Sequence, residues 1–279
     1  MDVTDLNKVE YSIAGIHGKS ITFDVTKPRD TSLGLVVFCH GFKGFKDWGH
    51  FNLVAAEFAS QGLTFLKMNF SHNGTTAEKP TDFADLEAFA NNNFSVELDD
   101  LGVVLDWAEE HLLHPNEELY LMGHSRGGGI AILKTAEDQR VNKLVTWSAV
   151  SDFESRFPPD MDRFKNEGVV YIPNARTNQN MPLHYQFVED YYAHEERLNI
   201  PKRLNKVDVP YLILHGTEDE AVSLECAEFI HGGCEGAVLK LIDGAGHTFG
   251  GKHPFEEAYL PGQAQEAVNL SIDFFKGDR

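Results

Sequence analysis

Positive charge is scarce in this chain. Lys and Arg number 24 against 43 Asp and Glu in 279 residues, a formal net charge of −19. That balance repels phosphate backbones and anionic lipid surfaces, so neither nucleic acid nor a membrane is an expected partner. Cysteine is scarcer still. Cys39, Cys226 and Cys234 make neither an even disulfide set nor a close metal-ligand cluster, a usage that suits a reducing compartment. Cys39, inside the run LGLVVFCHG, reads as a small buried residue. No apolar run approaches the ~20 residues that span a bilayer. The opening MDVTDLNKVEYSIAG has no basic stretch followed by an apolar core, so a cytoplasmic location is expected. H-E-x-x-H, a P-loop and the dinucleotide-binding glycine spacing are also missing. Neither a cofactor nor a catalytic metal is therefore expected.

What the chain has is a regular alternation of short apolar runs with helix-spaced segments. VEYSIAG and KSITFDV read as a hairpin, and LGLVVFCHG as a strand buried on both faces. HFNLVAAEFASQ is helical and stops at Gly62; LTFLKMNFS is a strand; FSVELDDLGVVLDWAEEHLL is a long amphipathic helix. ELYLMGH, KLVTWSAV, VPYLILHG and GAVLKLIDG continue the strands, with helices GIAILKTAED, SLECAEFIHG and AQEAVNLSIDFFK between and after them. Such alternation predicts an α/β fold with a mostly parallel sheet covered on both faces. Residues 153–205, rich in aromatics and prolines, break the rhythm and are too long for a simple connection. They read as a small inserted lid on a core formed by residues 1–152 and 206–279. Within the insert GVVYIPNAR suggests a hairpin arm, and MPLHYQFVEDYYAHEERL a helix with Pro182 in its first turn.

Chemistry concentrates at Gly123-His124-Ser125-Arg126-Gly127, a G-x-S-x-G between a strand and a helix. Glycine two residues either side removes Cβ atoms from a very sharp turn, which lifts the Ser125 hydroxyl to a helix N-terminus. A serine at neutral pH needs a base, and the base an orienting acid. His247, in IDGAGHTFGG after the last strand, is the favoured base; His253 is a rival, and His124 is expected to point away. Asp219, in LILHGTEDEAV, is the favoured acid, with Glu218 and Glu220 as solvated neighbours and Asp152 and Asp243 as competitors. Ser125, Asp219 and His247 then fall in the order Ser…acid…His. The oxyanion formed on attack needs backbone donors. Arg126 N–H follows the nucleophile, and Phe42 N–H lies in CHGFKGFKD after the first core strand.

These residues resemble the α/β-hydrolase superfamily over nearly the whole chain. The motifs HGFKG, GHSRGG, LHGTEDEAVS and IDGAGHTF followed by EAVNLSIDFF are most similar to the feruloyl/cinnamoyl esterase and small carboxylesterase group. The resemblance implies a serine esterase without a cofactor, with an insert that shapes an acyl pocket. NFSHNGTT departs from the acidic-aromatic-Gly-x-Gly stretch common among relatives. The expected partner is a small-molecule ester with an apolar or aromatic acyl group. Aminopeptidase, amidase or thioesterase chemistry on the same scaffold is the alternative, with Asp152, Glu154 or Glu189 available to hold a substrate ammonium in a peptidase. A non-catalytic binding protein of the same fold is a third.

Overall fold

The computed structural model describes residues 7–174 and 176–277. The first six residues, part of the stretch read as carrying no leader, lie outside them.

In chain order the elements are β1 (Asn7–Ala14), β2 (Ser20–Lys27), β3 (Leu35–Cys39), α1 (Phe51–Ser60), β4 (Thr64–Met68), α2 (Leu86–Ala90) and α3 (Phe94–His111). Then come β5 (Leu119–His124), α4 (Arg126–Thr135), β6 (Val141–Trp147), α5 (Met161–Glu167), β7 (Val169–Asn174) and β8 (Gln179–His184). The chain closes with α6 (Gln186–Ala193), α7 (Glu195–Leu198), α8 (Ile200–Arg203), β9 (Tyr211–Gly216), α9 (Leu224–Gly233), β10 (Val238–Ile242) and α10 (Gly262–Lys276).

Eight strands form one sheet in the order β1-β2-β4-β3-β5-β6-β9-β10. The β1–β2 and β2–β4 pairs are antiparallel and every later pair is parallel. The apolar runs of β3, β4, β5, β6 and β9 are continuous because each of these strands feeds two cores. In β3, Leu35, Val37 and Cys39 join a cluster with Leu98, Leu101 and Leu105 of α3 and Ile130 and Leu133 of α4. Val36 and Phe38 point the other way, onto Val54 and Phe58 of α1 and Val268 and Phe275 of α10. Helix α3 starts where Asn93 accepts from Val96 N–H at 2.9 Å, with Glu97 in the first turn and His111 in the last. No described helix is long and apolar enough to cross a membrane.

Residues 153–205 do lie between two sheet strands, β6 and β9. Their hairpin, β7–β8, pairs Val169 with His184 through Asn174 with Gln179. The expected helix from Met181 is corrected here. Met181 to His184 belong to β8 and the helix begins only at Gln186. A two-stranded ribbon is all edge, and an edge tolerates the missing N–H of Pro182. Beyond the hairpin the segment sinks into the main core. Phe94 of α3 stacks on Phe153 at 3.8 Å and packs against Phe187 at 4.5 Å, and Tyr191, Leu198 and Ile200 join the same cluster.

Candidate active site

Strand β5 ends at the centre of the sheet, and the chain reverses into α4 through Ser125, whose backbone has φ 57° and ψ −120°. A side-chain-bearing residue held there costs about 1–3 kcal/mol, so the surroundings must enforce it. They do so by close packing. A Cβ on Gly123 would lie 2.3 Å from Gly127 O, and one on Gly127 would lie 2.4 Å from the carbonyl oxygens of Cys39 and His40. Ser125 N–H donates to Trp147 O at 2.9 Å, and Ser125 O accepts from Gly128 N–H at 3.0 Å. Ser125 is left half-buried at the helix start.

The loops after β9 and β10 meet beside this elbow. His247 Nδ1 donates to Asp219 Oδ2 at 2.9 Å, with Oδ1 at 3.1 Å. The Asp219 side chain is fully buried while that of His247 is 23% exposed. Asp219 Oδ1 also accepts from the N–H groups of Ala221 and Val222, each at 2.9 Å. Burial alone would raise this carboxyl, but the hydrogen bond and charge of His247 and the Val222 N–H hold it well below the usual carboxylate range. As a carboxylate it accepts from His247 Nδ1–H, the tautomer that leaves Nε2 without a proton.

Two histidines complete the setting. His124 does not simply turn away from the site. Its Nε2 donates to His247 O at 2.9 Å and its ring lies 4.8 Å from the His247 ring. Burial pushes it down to about 3, so it is a neutral prop under His247. His215 is fully buried beneath Asp219, with Nε2 at 2.9 Å from Val222 O and 3.5 Å from Asp219 Oδ2, and burial lowers it too. A strand position two residues before a loop gave no sign of this support.

The rivals serve elsewhere. His253 Nδ1 accepts from Gly49 N–H at 2.9 Å, and its ring packs on Phe45 and Trp48. Asp152 binds the N–H and hydroxyl of Ser155. Asp243, Glu218 and Glu220 are exposed.

The loop after β3 approaches closely: a Cβ on Gly41 would lie 2.9 Å from Ser125 Cβ. Among the described residues the backbone N–H groups of Phe42 and Arg126, the two expected oxyanion donors, donate to no protein acceptor. The Arg126 side chain is a finding of the structure. Its guanidinium lies 4.0 Å from the Phe42 ring centroid and donates through Nη1 to buried Glu97 at 3.3 Å. Phe94 and Phe187 flank it at 5.1 and 5.3 Å.

A serine on a strand-to-helix elbow, with an Asp–His pair on loops following later strands of a mostly parallel sheet, is the arrangement of an α/β hydrolase. Residues 30–198 match the model of the family described as serine aminopeptidase, S33, and the chain belongs to that family. Among curated relatives it is 30% identical over 121 residues to a monoacylglycerol lipase of Mycolicibacterium smegmatis, 43% of this chain and 39% of that protein. It is 27% identical over 148 residues to the human serine hydrolase BPHL, 47% of this chain and 49% of that one. The chain thus matches less than half the length of either relative. Two solved structures share the fold at 18% identity: Est1E from Butyrivibrio proteoclasticus (TM-score 0.69, 96% of this chain and 99% of that one) and a putative hydrolase from Agrobacterium vitis S4 (TM-score 0.73, 97% and 99%).

Proposed function

We propose that the protein is a serine ester hydrolase that works through an acyl-enzyme. The observation that carries this reading is the buried, ionised Asp219 bonded to His247 Nδ1, next to a serine held at φ 57°. In the first half-reaction His247 Nε2 takes the proton from Ser125 Oγ as that oxygen bonds to the acyl carbon. The carbonyl oxygen becomes an oxyanion held by Phe42 and Arg126 N–H. His247 then gives its proton to the departing alkoxide as the ester C–O bond breaks. Water repeats the sequence, with His247 as base, and releases the acid and Ser125. Asp219 remains ionised and stabilises the imidazolium of both half-reactions.

An ester is favoured over an aminoacyl amide because the acids that would hold a substrate ammonium are engaged by neighbours or open to solvent. Asp152 caps a turn, Glu154 accepts from Tyr192 OH at 2.7 Å, and Glu189 is exposed. The acyl group we assign is small to medium and apolar or aromatic, in keeping with Phe42, Phe94 and Phe187 around Arg126 and with residues 153–205 acting as a lid. Est1E, the neighbour named above, has also been solved with ferulic acid bound, at 18% identity and a TM-score of 0.68. The partner is then a small-molecule ester, and the net charge of −19 sets nucleic acid and anionic membranes aside.

A fluorophosphonate probe tests the assignment. It should label the wild type at one site and leave Ser125→Ala unlabelled, with ester turnover lost in parallel. Equal labelling of the two proteins would remove Ser125 from the mechanism.

A further inference from the structure

The stretch NFSHNGTT, which departs from the pattern of relatives, has a task in this fold. It follows β4 and lies against the loop that carries Phe42. That loop is held near Ser125 by the close approach of Gly41, then turns sharply, with Gly44 N–H donating to Gly41 O at 3.0 Å and Lys43 in the left-handed region at φ 55°. Its far side is gripped by two asparagines. Asn69 Oδ1 accepts from Lys46 N–H at 2.6 Å, and Asn73 Nδ2 donates to Gly44 O at 3.4 Å and to Asn69 Oδ1 at 3.2 Å. Asn69 is itself fixed, its N–H donating to Thr22 O at 2.7 Å and its Nδ2 to Thr22 Oγ1 at 3.0 Å. Both asparagines are buried, at 3% and 5% exposure. A chain of hydrogen bonds therefore runs from β2 through Asn69 to the turn next to the expected oxyanion donor.

We propose that Asn69 is a positioning residue for the hydrolysis, its side-chain oxygen setting where the Phe42 N–H points. The inference rests on the functional reading above. An oxyanion donor acts only when it sits about 2.7–3.1 Å from the developing charge, and a misplacement of about 1 Å can cost a hundredfold in rate. A second anchor keeps the loop attached when Asn69 is altered. Lys46 Nζ donates to Asp24 at 2.8 Å and also to Asp47, and fully buried Lys67 donates to Asp24 and Asp47, each at 2.6 Å. Those ion pairs hold the loop's side chains and do not replace the bond to the Lys46 N–H.

The experiment compares Asn69→Leu and Asn69→Asp with the wild type on a 4-nitrophenyl ester, with reactive Ser125 counted by fluorophosphonate titration. Leu keeps the shape and loses the acceptor. Asp keeps the acceptor, and its carboxylate meets three donors in Lys46 N–H, Asn73 Nδ2 and the Thr22 hydroxyl. The expected result is a fall in kcat per titrated site of about ten- to a hundredfold for Asn69→Leu, with KM changed less than about threefold. Affinity for a trifluoromethyl ketone, which forms the tetrahedral oxyanion with Ser125, should fall in proportion. Asn69→Asp should recover most of both. An unchanged kcat per site in Asn69→Leu overturns the proposal, as does a loss that merely follows the count of titratable Ser125. Equal damage in the two variants also overturns it. A wild type inert to both ester and fluorophosphonate would instead overturn the functional reading, and this proposal with it.

Discussion

Asp219 is the residue on which the proposed chemistry turns, because its charge is kept in a place water does not reach. Contacts from His247 Nδ1 to both oxygens, and from the N–H groups of Ala221 and Val222 to Oδ1, support that charge. Asp219→Asn keeps the size and presents an N–H where an acceptor is needed, so the imidazole adopts the other tautomer. We expect kcat to fall by about 10⁴-fold with the melting temperature little changed, measured by steady-state ester hydrolysis and differential scanning fluorimetry. Ser125, Asp219, His247 and the Gly123 and Gly127 that crowd the elbow are all legible in the sequence, since each belongs to a short motif with a local geometric demand. Their supports are not. His124 bonds the backbone of a residue in the last loop, His215 lies under the acid, and Arg126 meets Glu97 on a helix that precedes it. Those contacts join segments far apart in the chain, and no local spacing encodes them.

At the scale of elements, the alternation of strands and helices is readable because β3, β5 and β9 are buried throughout and the helices α3 and α10 carry one apolar face. The segment between β6 and β9 is not, for a physical reason. It mixes a ribbon that buries one face, through Met181 and Leu183, with helices that complete the core, and aromatic content alone does not separate the two. The difference is measurable. Phe187 of α6 is 1% exposed and Tyr171 of β7 is 64% exposed. Phe187→Ala should cost about 3–5 kcal/mol in urea unfolding, whereas Tyr171→Ala should stay within about 0.5 kcal/mol. Equal costs would mean that the ribbon and α6 share one packing environment.

For the molecule as a whole, pH acts through carboxyls buried on α3 as well as through the site. Burial, with the like charge of Glu97 adding to it, pushes Asp100 up to about 7 against the 2.7 Å hydrogen bond from Ser71 N–H. An acid raised in the folded state holds its proton more tightly folded than unfolded. Its contribution to stability is therefore full below about pH 4 and is lost as pH rises toward 7, at about 1.4 kcal/mol per pH unit. Asp100→Asn keeps the acceptor for Ser71 and removes the titration. Its stability relative to wild type should rise between pH 4 and pH 7 and level off above, as read from urea midpoints across that range. A difference independent of pH would mean that Asp100 titrates normally. The order of the chain carries a last consequence. The proposed nucleophile and both oxyanion donors lie before β6, whereas the acid and base lie after β9, on the far side of the long insert. During synthesis the serine leaves the ribosome first and, at usual elongation rates, waits on the order of ten seconds for its relay. On the proposed mechanism a nascent chain stalled before the end of β10 is thus a harmless one, since it carries the serine without its base.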